Sequence, residues 1–162
     1  MGEHRIKAVA DYGRGPQKVW VYGALRVRDG VERTLTSATR NTAGFIQLLD
    51  TIEQDNPDGD LYIIADNLSS HFSGPVREWL CQHPRVHLVF IPVGACWLNL
   101  QEGWWRLFRH EAFAGQSFAD DREISHATQV ATQQLNLRAK PWVWGRPAPP
   151  PRRRRRLFIY HL

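Results

Sequence analysis

The chain has 162 residues, of which 43% are hydrophobic, and a net charge of +5 at pH 7. This length and composition suit one folded domain with a core and exclude a disordered polyelectrolyte. No apolar run is long enough to span a bilayer, and the first residues lack a signal-peptide core. Cys81 and Cys96 have no metal-binding spacing, so we interpret them as reduced thiols of a cytoplasmic protein.

The charges are unevenly distributed along the chain. Residues 1–40 carry eight Lys or Arg against four Asp or Glu, whereas residues 41–100 carry two against seven. Five consecutive arginines occupy positions 152–156. This pattern suggests a polyanionic partner such as nucleic acid, with the central acids available for cations. A solvated tail on an ordinary domain is the alternative.

The first half of the chain predicts a hairpin followed by a helix. Residues 19–27 are rich in β-branched and aromatic residues and predict a strand, and an Asp-Gly turn leads into a returning strand at 31–37. A helix capped by Asn41 or Thr42 should end near residue 57.

The second half alternates between strands and helices. Strands are predicted at residues 61–65 and 86–91, and helices at 73–80, 99–110 and 119–137. Adjacent antiparallel strands followed by strand–helix alternation indicate an α/β domain with a mixed sheet flanked by helices.

A change of composition divides the chain into two parts. Residues 1–140 form the predicted domain, and residues 141–162 form a Pro- and Arg-rich tail. The proline stretch of the tail should be extended. We expect Trp142 and Trp144, at its start, to pack against the domain.

Asp66 comes directly after the predicted strand 61–65. Ligand sites of open α/β sheets gather at this edge, where strands end. Asn67 and His71 add polar groups at the same strand exit. An Asx-turn at Asp66 and a structural role for His71 are the alternatives.

The predicted helix 99–110 has two distinct faces. At about 100° per residue, one face carries the polar residues Asn99, Glu102, Arg106 and Arg109. The opposite face is apolar and carries Leu100, Trp104, Leu107 and Phe108. Glu102 is either a metal ligand beside phosphate-binding arginines or one partner of a surface ion pair with Arg106.

Between Asp66 and Glu102 lie 35 residues. An acid at a strand exit and another on a downstream helix can converge on a divalent cation. The segments 66–71 and 92–102, at this spacing, resemble the DDE transposases of bacterial insertion sequences, and most of all the bacterial branch of the mariner superfamily. Residues 139–144 resemble the Lys-Pro-Phe-x-Trp ending of many members.

The resemblance implies an RNase H-like, retroviral-integrase-like fold and a two-metal mechanism. It implies that Asp66 binds both cations and that Glu102 binds one. Mg²⁺, or Mn²⁺ in its place, is the expected metal. The residues expected to support the site are Asn67, His71 and Asn99.

The resemblance also implies DNA as the substrate, both transposon ends and target DNA. Family members nick the transposon ends and join the free 3′ hydroxyl to a target. The residues expected to contact DNA are Arg106, Arg109, Arg152, Arg153, Arg154, Arg155 and Arg156. We expect a cytoplasmic protein of bacteria that associates with the nucleoid when bound to DNA.

Such enzymes need a third carboxylate, on a first strand that precedes the hairpin. Only 18 residues precede the predicted hairpin, and Asp11 lies among turn residues. We therefore expect a transposase catalytic domain that lacks its first strand and is inactive, or nearly so, by itself. It could form a homo-oligomer or assemble with an upstream transposase fragment. The alternatives are a non-enzymatic DNA-binding or regulatory fragment and another RNase H-like nuclease.

Overall fold

The computed structural model describes residues 18–145, which begin with an antiparallel hairpin. Strand β1 spans Trp20–Arg26 and strand β2 spans Val31–Ser37. The turn between them needs Gly30, whose φ of 78° lies in the left-handed region. Asp29 accepts a hydrogen bond from the backbone N–H of Val31 at 3.1 Å. The predicted hairpin and its Asp-Gly turn are confirmed.

A second pair of strands is parallel. Strand β3 spans Leu61–Ala65 and strand β4 spans Val86–Phe90, with Ala65 paired to Phe90. Helix α2, Gly74–Gln82, lies between them in the chain. Because the strands are parallel, both end at the same edge of this sheet. The residue after β3 is Asp66, at that edge.

Three further helices complete the described chain. Helix α1 spans Thr42–Asp55, and the N-cap Asn41 accepts a hydrogen bond from the third residue of the helix at 2.9 Å. Helices α3, Gln101–Phe113, and α4, Asp121–Leu137, follow β4. The predicted order of strands and helices is therefore confirmed. Within the described residues no helix combines the length and apolar character needed to cross a bilayer.

The sheets differ from the predicted single mixed sheet. Within residues 18–145, β1 pairs only with β2, and β3 pairs only with β4. The α/β class is correct, but one continuous sheet is not observed in this part of the chain. Residues of β1 and β3 line the same two cavities, so open space lies where a backbone pairing between these strands would be.

Two apolar cores lie on different sides of the strands. The first core joins α3 to α4, with Trp104 and Phe108 packed near Val21 and Leu25 of β1. The second core joins α1 to α2, with Phe45, Leu49 and Val76 packed near Tyr22 of β1 and Ile63 of β3. Strand β1 therefore contacts both cores, and the first core fixes the position of α3.

The start of the predicted tail packs against the domain. The backbone N–H of Trp142 donates to the carbonyl of Val27 at 2.9 Å, and the indole N–H of Trp144 donates to the carbonyl of Leu98 at 2.9 Å. The Trp142 ring also contacts the first core. The expected packing of both tryptophans is confirmed.

Candidate active site

Asp66 lies at the end of β3 with an exposed side chain. Its Oδ1 accepts a hydrogen bond from the backbone N–H of Leu68 at 3.3 Å, which forms an Asx-turn. The Nδ1 of His71 lies 2.9 Å from the same oxygen. Because the carboxylate is nonetheless 61% exposed, the turn does not prevent it from binding a cation.

His71 is held in place from the other side. Its ring stacks on Phe45, a residue of the second core, with 4.1 Å between the ring centroids. The His71 side chain is only 16% exposed. Packing and hydrogen bonding together therefore fix the His71 ring, which in turn orients the Asp66 carboxylate.

Glu102 lies in the first turn of α3 and is exposed. Its backbone N–H donates to the carbonyl of Asn99 at 3.2 Å, and the side chain of Asn99 accepts from the N–H of Gln101 at 3.1 Å. Asn99 thus precedes the helix, whereas the sequence places it on the helix. A carboxylate in the first turn is favoured by the helix dipole.

Asp66 and Glu102 line the same two cavities. One has a volume of about 660 Å³ and is also lined by His71 and Asn99. The other has a volume of about 530 Å³ and is also lined by Asn67 and Asn99. The structure therefore brings both acids and all three expected supporting residues to one region.

Two arginines add positive charge to this region. Arg109 lines the larger of these cavities, as does Arg40, for which the sequence predicted no role. The Arg40 guanidinium lies 4.7 Å from the ring centroid of Trp20, a cation–π arrangement that fixes it at the cavity. Arg106 is exposed on α3 and lines neither cavity. The arginines at 152–156 lie outside the described residues, and so does Asp11.

Helix α3 packs much as its pattern predicts, with one exception. Trp104 and Phe108 are each 2% exposed, but Leu107 is 47% exposed. Its assignment to the core face is wrong, because the buried stripe follows every fourth residue and Leu107 lies at its margin. The ion pairs within residues 18–145 include none between Glu102 and Arg106.

A third acid, Glu32, is buried close to the start of α3. The side-chain amide of Gln101 donates to its Oε1 at 2.6 Å, and among the described residues its Oε2 has no hydrogen-bond partner. Burial raises the pKa of Glu32 to about 8, although the bond from Gln101 and one from the Ala24 backbone oppose that rise. No sequence signal predicted this burial, because an acid on a hairpin strand is ordinarily solvated.

The donor atoms at the Asp66 end of the sheet fit a hard divalent cation. Carboxylate and amide oxygens are the ligands that Mg²⁺ and Mn²⁺ take in proteins. Asp66 and Glu102 supply two carboxylates, and Asn67 and Asn99 supply amide groups. Within the described residues, no three His, Cys, Asp or Glu side chains form a group that could hold a metal.

Comparison with known proteins identifies the class. Residues 2–125 match the family described as DDE superfamily endonuclease, so the match covers most of the chain. The chain belongs to this family. No curated protein matches it significantly. The resemblance to DDE enzymes is confirmed at the level of the domain, and the family in general implies divalent-metal dependence and DNA as the substrate.

Proposed function

We propose that this chain is the catalytic-domain portion of a DDE-type DNA transposase from a bacterial insertion sequence, in the bacterial branch of the mariner superfamily. Membership of the DDE superfamily supports nuclease chemistry on DNA. The segments 92–102 and 139–144 support the narrower assignment. The observation that carries the proposal is that Asp66 and Glu102 line the same cavities.

The two acids have the role of metal ligands in this proposal. Asp66 and Glu102 hold Mg²⁺, or Mn²⁺, at the edge where β3 ends. When bound, two such ions stabilise the attacking and leaving oxygens of an in-line displacement at phosphorus. The Nδ1 of His71 lies 2.9 Å from Oδ1 of Asp66 and hydrogen-bonds the Asp66 backbone carbonyl, which orients the carboxylate. Asn99 fixes the turn that presents Glu102. The fold we propose around this site is RNase H-like.

Positive residues around the site would bind the DNA backbone. Arg40 and Arg109 line the cavity that contains both acids, so a phosphate bound there would contact charges of both signs. Arg106 lies one turn before Arg109 on the same helix. We propose that these arginines and the run at 152–156 bind phosphates of transposon-end and target DNA.

We also propose that the chain by itself binds metal weakly and cleaves DNA little or not at all. A two-metal DDE site uses three carboxylates, and residues 18–145 bring two together. The same observation favours a second candidate function, a DNA-binding or regulatory fragment without turnover. Such a fragment would act by assembling with another transposase polypeptide, and the assembly would be either active or inhibited.

A paramagnetic titration tests the metal site directly. Mn²⁺ bound between Asp66 and Glu102 should broaden the amide NMR signals of Leu68 and Gly103 before those of residues distant from the site. In each of the variants Asp66→Asn and Glu102→Gln, the signals of Leu68 and Gly103 should no longer broaden before those of distant residues. Broadening that starts elsewhere, or that survives both substitutions, contradicts the site. Strong Mg²⁺-dependent nicking of DNA by the purified chain would contradict the proposed lack of turnover.

A further inference from the structure

Glu32 joins three elements of the fold at one point. Its backbone N–H donates to Oδ1 of Asn136 on α4, and Nδ2 of Asn136 donates back to the Glu32 carbonyl, each at 2.9 Å. Its side-chain Oε1 accepts a hydrogen bond from Nε2 of Gln101 on α3 at 2.6 Å. Strand β2 is therefore tied to α4 and to the start of α3 through this one residue.

The bond between Glu32 and Gln101 is shielded from water. Glu32 is fully buried, and a Cβ built on Gly23 of β1 would collide with its carboxyl group. The same Cβ would lie 2.7 Å from the ring of Trp105 on α3. Glycine at position 23 thus leaves the room in which the carboxyl group and α3 meet. A hydrogen bond is stronger in such surroundings than in water, and its loss leaves a buried polar group unpaired.

The first turn of α3 depends on contacts from outside the helix. Its N-cap residue is Leu100, whose side chain cannot cap the helix. Asn99 accepts from the N–H of Gln101 at 3.1 Å, but that bond joins residues of one loop. The bond from Gln101 to Glu32 spans 69 positions of the sequence and ties the turn to β2. Since the ends of helices fray, this bond should limit the motion of the turn.

Glu102 lies between two residues that the rest of the domain holds in place. Before it, Gln101 is bonded to Glu32. After it, Gly103 lies against the ring of Trp142, which a Cβ at position 103 would approach to 2.7 Å. Glu102 itself is exposed and lines both cavities of the candidate site. Its carboxylate therefore projects from a backbone that is fixed on both sides.

We propose that Glu32 is a positioning residue for the candidate metal site. It holds the first turn of α3 through Gln101, and that turn presents the Glu102 carboxylate to a cation shared with Asp66. This role presupposes the metal site proposed above. Glu32 is not itself a ligand, because it lines neither cavity that contains the two acids.

The geometry that a hard cation demands makes such positioning matter. Mg²⁺ takes oxygen ligands at about 2.0–2.1 Å in near-ideal octahedral geometry. A helix start that can shift or fray moves the Glu102 carboxylate out of this range for part of the time. Residues that orient a metal ligand without touching the metal therefore contribute to its affinity.

A double-mutant cycle on Mn²⁺ affinity tests this role. Gln101→Met removes the donor and nearly keeps the length of the side chain, whereas Glu102→Gln removes the ligand. In calorimetric titrations of the full chain, Gln101→Met should lower the affinity by about three- to tenfold, at or below the effect of a partner bonded directly to a ligand. Beside Glu102→Gln it should have little further effect, because the role acts through Glu102. Equal effects in both backgrounds overturn the role.

Substitutions at Glu32 separate positioning from general stability. Glu32→Met removes the acceptor and should lower Mn²⁺ affinity as Gln101→Met does, whereas Glu32→Gln keeps an acceptor oxygen and should restore most of the loss. The matched control is Thr132→Val, which removes the 2.9 Å hydrogen bond between Thr132 and Thr34, also at the contact of β2 with α4. It should lower the urea midpoint but leave Mn²⁺ affinity unchanged. If Thr132→Val weakens binding as much as Gln101→Met, the effect is one of stability and the role of Glu32 is refuted.

Hydrogen exchange of the metal-free chain gives a readout that does not depend on metal. The N–H of Gly103 donates to the carbonyl of Leu100 at 3.0 Å in the first turn of α3. Its exchange should become faster in Gln101→Met and in Glu32→Met, whereas exchange of the Leu49 amide, within α1, should not change. Unchanged exchange at Gly103 overturns the role of Glu32. A wild-type chain that binds no Mn²⁺ refutes the metal site, and the role of Glu32 with it. Normal wild-type binding without an effect of Gln101→Met refutes only the role of Glu32.

Discussion

Asp66 and Glu102 reach the same cavities from two elements that belong to different cores. Asp66 follows β3, which packs with α1 and α2, whereas Glu102 begins α3, which packs with α4. Their relative position therefore depends on how the two cores are held together. Strand β1 contacts both cores, so it helps to couple the two halves of the site.

Replacing either acid should weaken divalent-metal binding. Asp66→Asn and Glu102→Gln each remove a carboxylate charge while preserving the size of the side chain. We expect each to lower the affinity for Mn²⁺ by about tenfold or more, because loss of a direct ligand should cost at least as much as loss of an outer-shell partner. Isothermal titration calorimetry measures the affinity.

Matched acids away from the site provide the control for that experiment. Asp60, which precedes β3, and Glu78, on α2, are exposed and line neither cavity. Asp60→Asn and Glu78→Gln should leave the Mn²⁺ affinity unchanged. If all four variants weaken binding equally, the metal is attracted by overall negative charge and not by a defined site.

Arg40 and Arg109 should contribute to DNA affinity through charge. Both line the cavity that contains the acids. Each substitution to Gln should lower DNA affinity at low salt and reduce the slope of log K against log salt by about one. Fluorescence anisotropy with a labelled duplex over a series of salt concentrations measures the slope. Arg77→Gln, an exposed change on α2, is the control and should leave the slope unchanged.

The arginine run at 152–156 should contribute more to the salt dependence of DNA binding than Arg40 or Arg109 does. Replacing all five arginines with Gln removes five positive charges from one short segment. The salt dependence of DNA binding should become markedly flatter, since each neutralised phosphate releases a counterion. The same anisotropy series tests this variant. An unchanged slope would mean that the run does not contact DNA.

Local sequence signals predicted the elements of the fold well. The bounds of β2 and β3 agree with their predicted ranges. An Asp-Gly turn followed by alternating residue types defines β2, and a short apolar run before Asp66 defines β3. Helix α4 also ends where expected, at Leu137. Each of these signals lies within a single segment, so it can be recognised without knowing which other segments pack against it.

Relationships between segments were harder to predict. The separation of β1 from β3, the burial of Glu32 and the position of Arg40 at the cavity all depend on residues distant in sequence. Leu107 shows the same limit, since its exposure depends on which partners pack against α3. Helical periodicity gives the direction of a side chain but not what covers it.

Gly103→Ala should destabilise the chain because Trp142 occupies the space beside Gly103. A Cβ on Gly103 would lie 2.7 Å from the Trp142 ring, which packs against the first core. We expect a loss of about 1–3 kcal/mol in the free energy of unfolding, despite the better helix propensity of alanine. Urea denaturation measures it.

A second helical glycine serves as the control. Gly74 begins α2, and a Cβ there would have nothing within 4 Å. Gly74→Ala should therefore leave stability unchanged or raise it slightly. If both substitutions cost the same, the packing of Trp142 on α3 does not stabilise the fold.

Glu32 should make the stability of the chain depend on pH. Burial raises the pKa of its carboxyl to about 8, against an ordinary value of 4.5, although hydrogen bonds from Gln101 and the Ala24 backbone oppose the rise. The folded chain then binds a proton that the unfolded chain releases, so its stabilising effect is complete below pH 4.5 and is lost as pH rises toward 8. The free energy of unfolding should fall by a few kcal/mol, as an order of magnitude, over this range. Urea denaturation at a series of pH values measures the decline, and the Glu32→Gln variant should abolish it. A decline that persists in that variant would show that another group titrates.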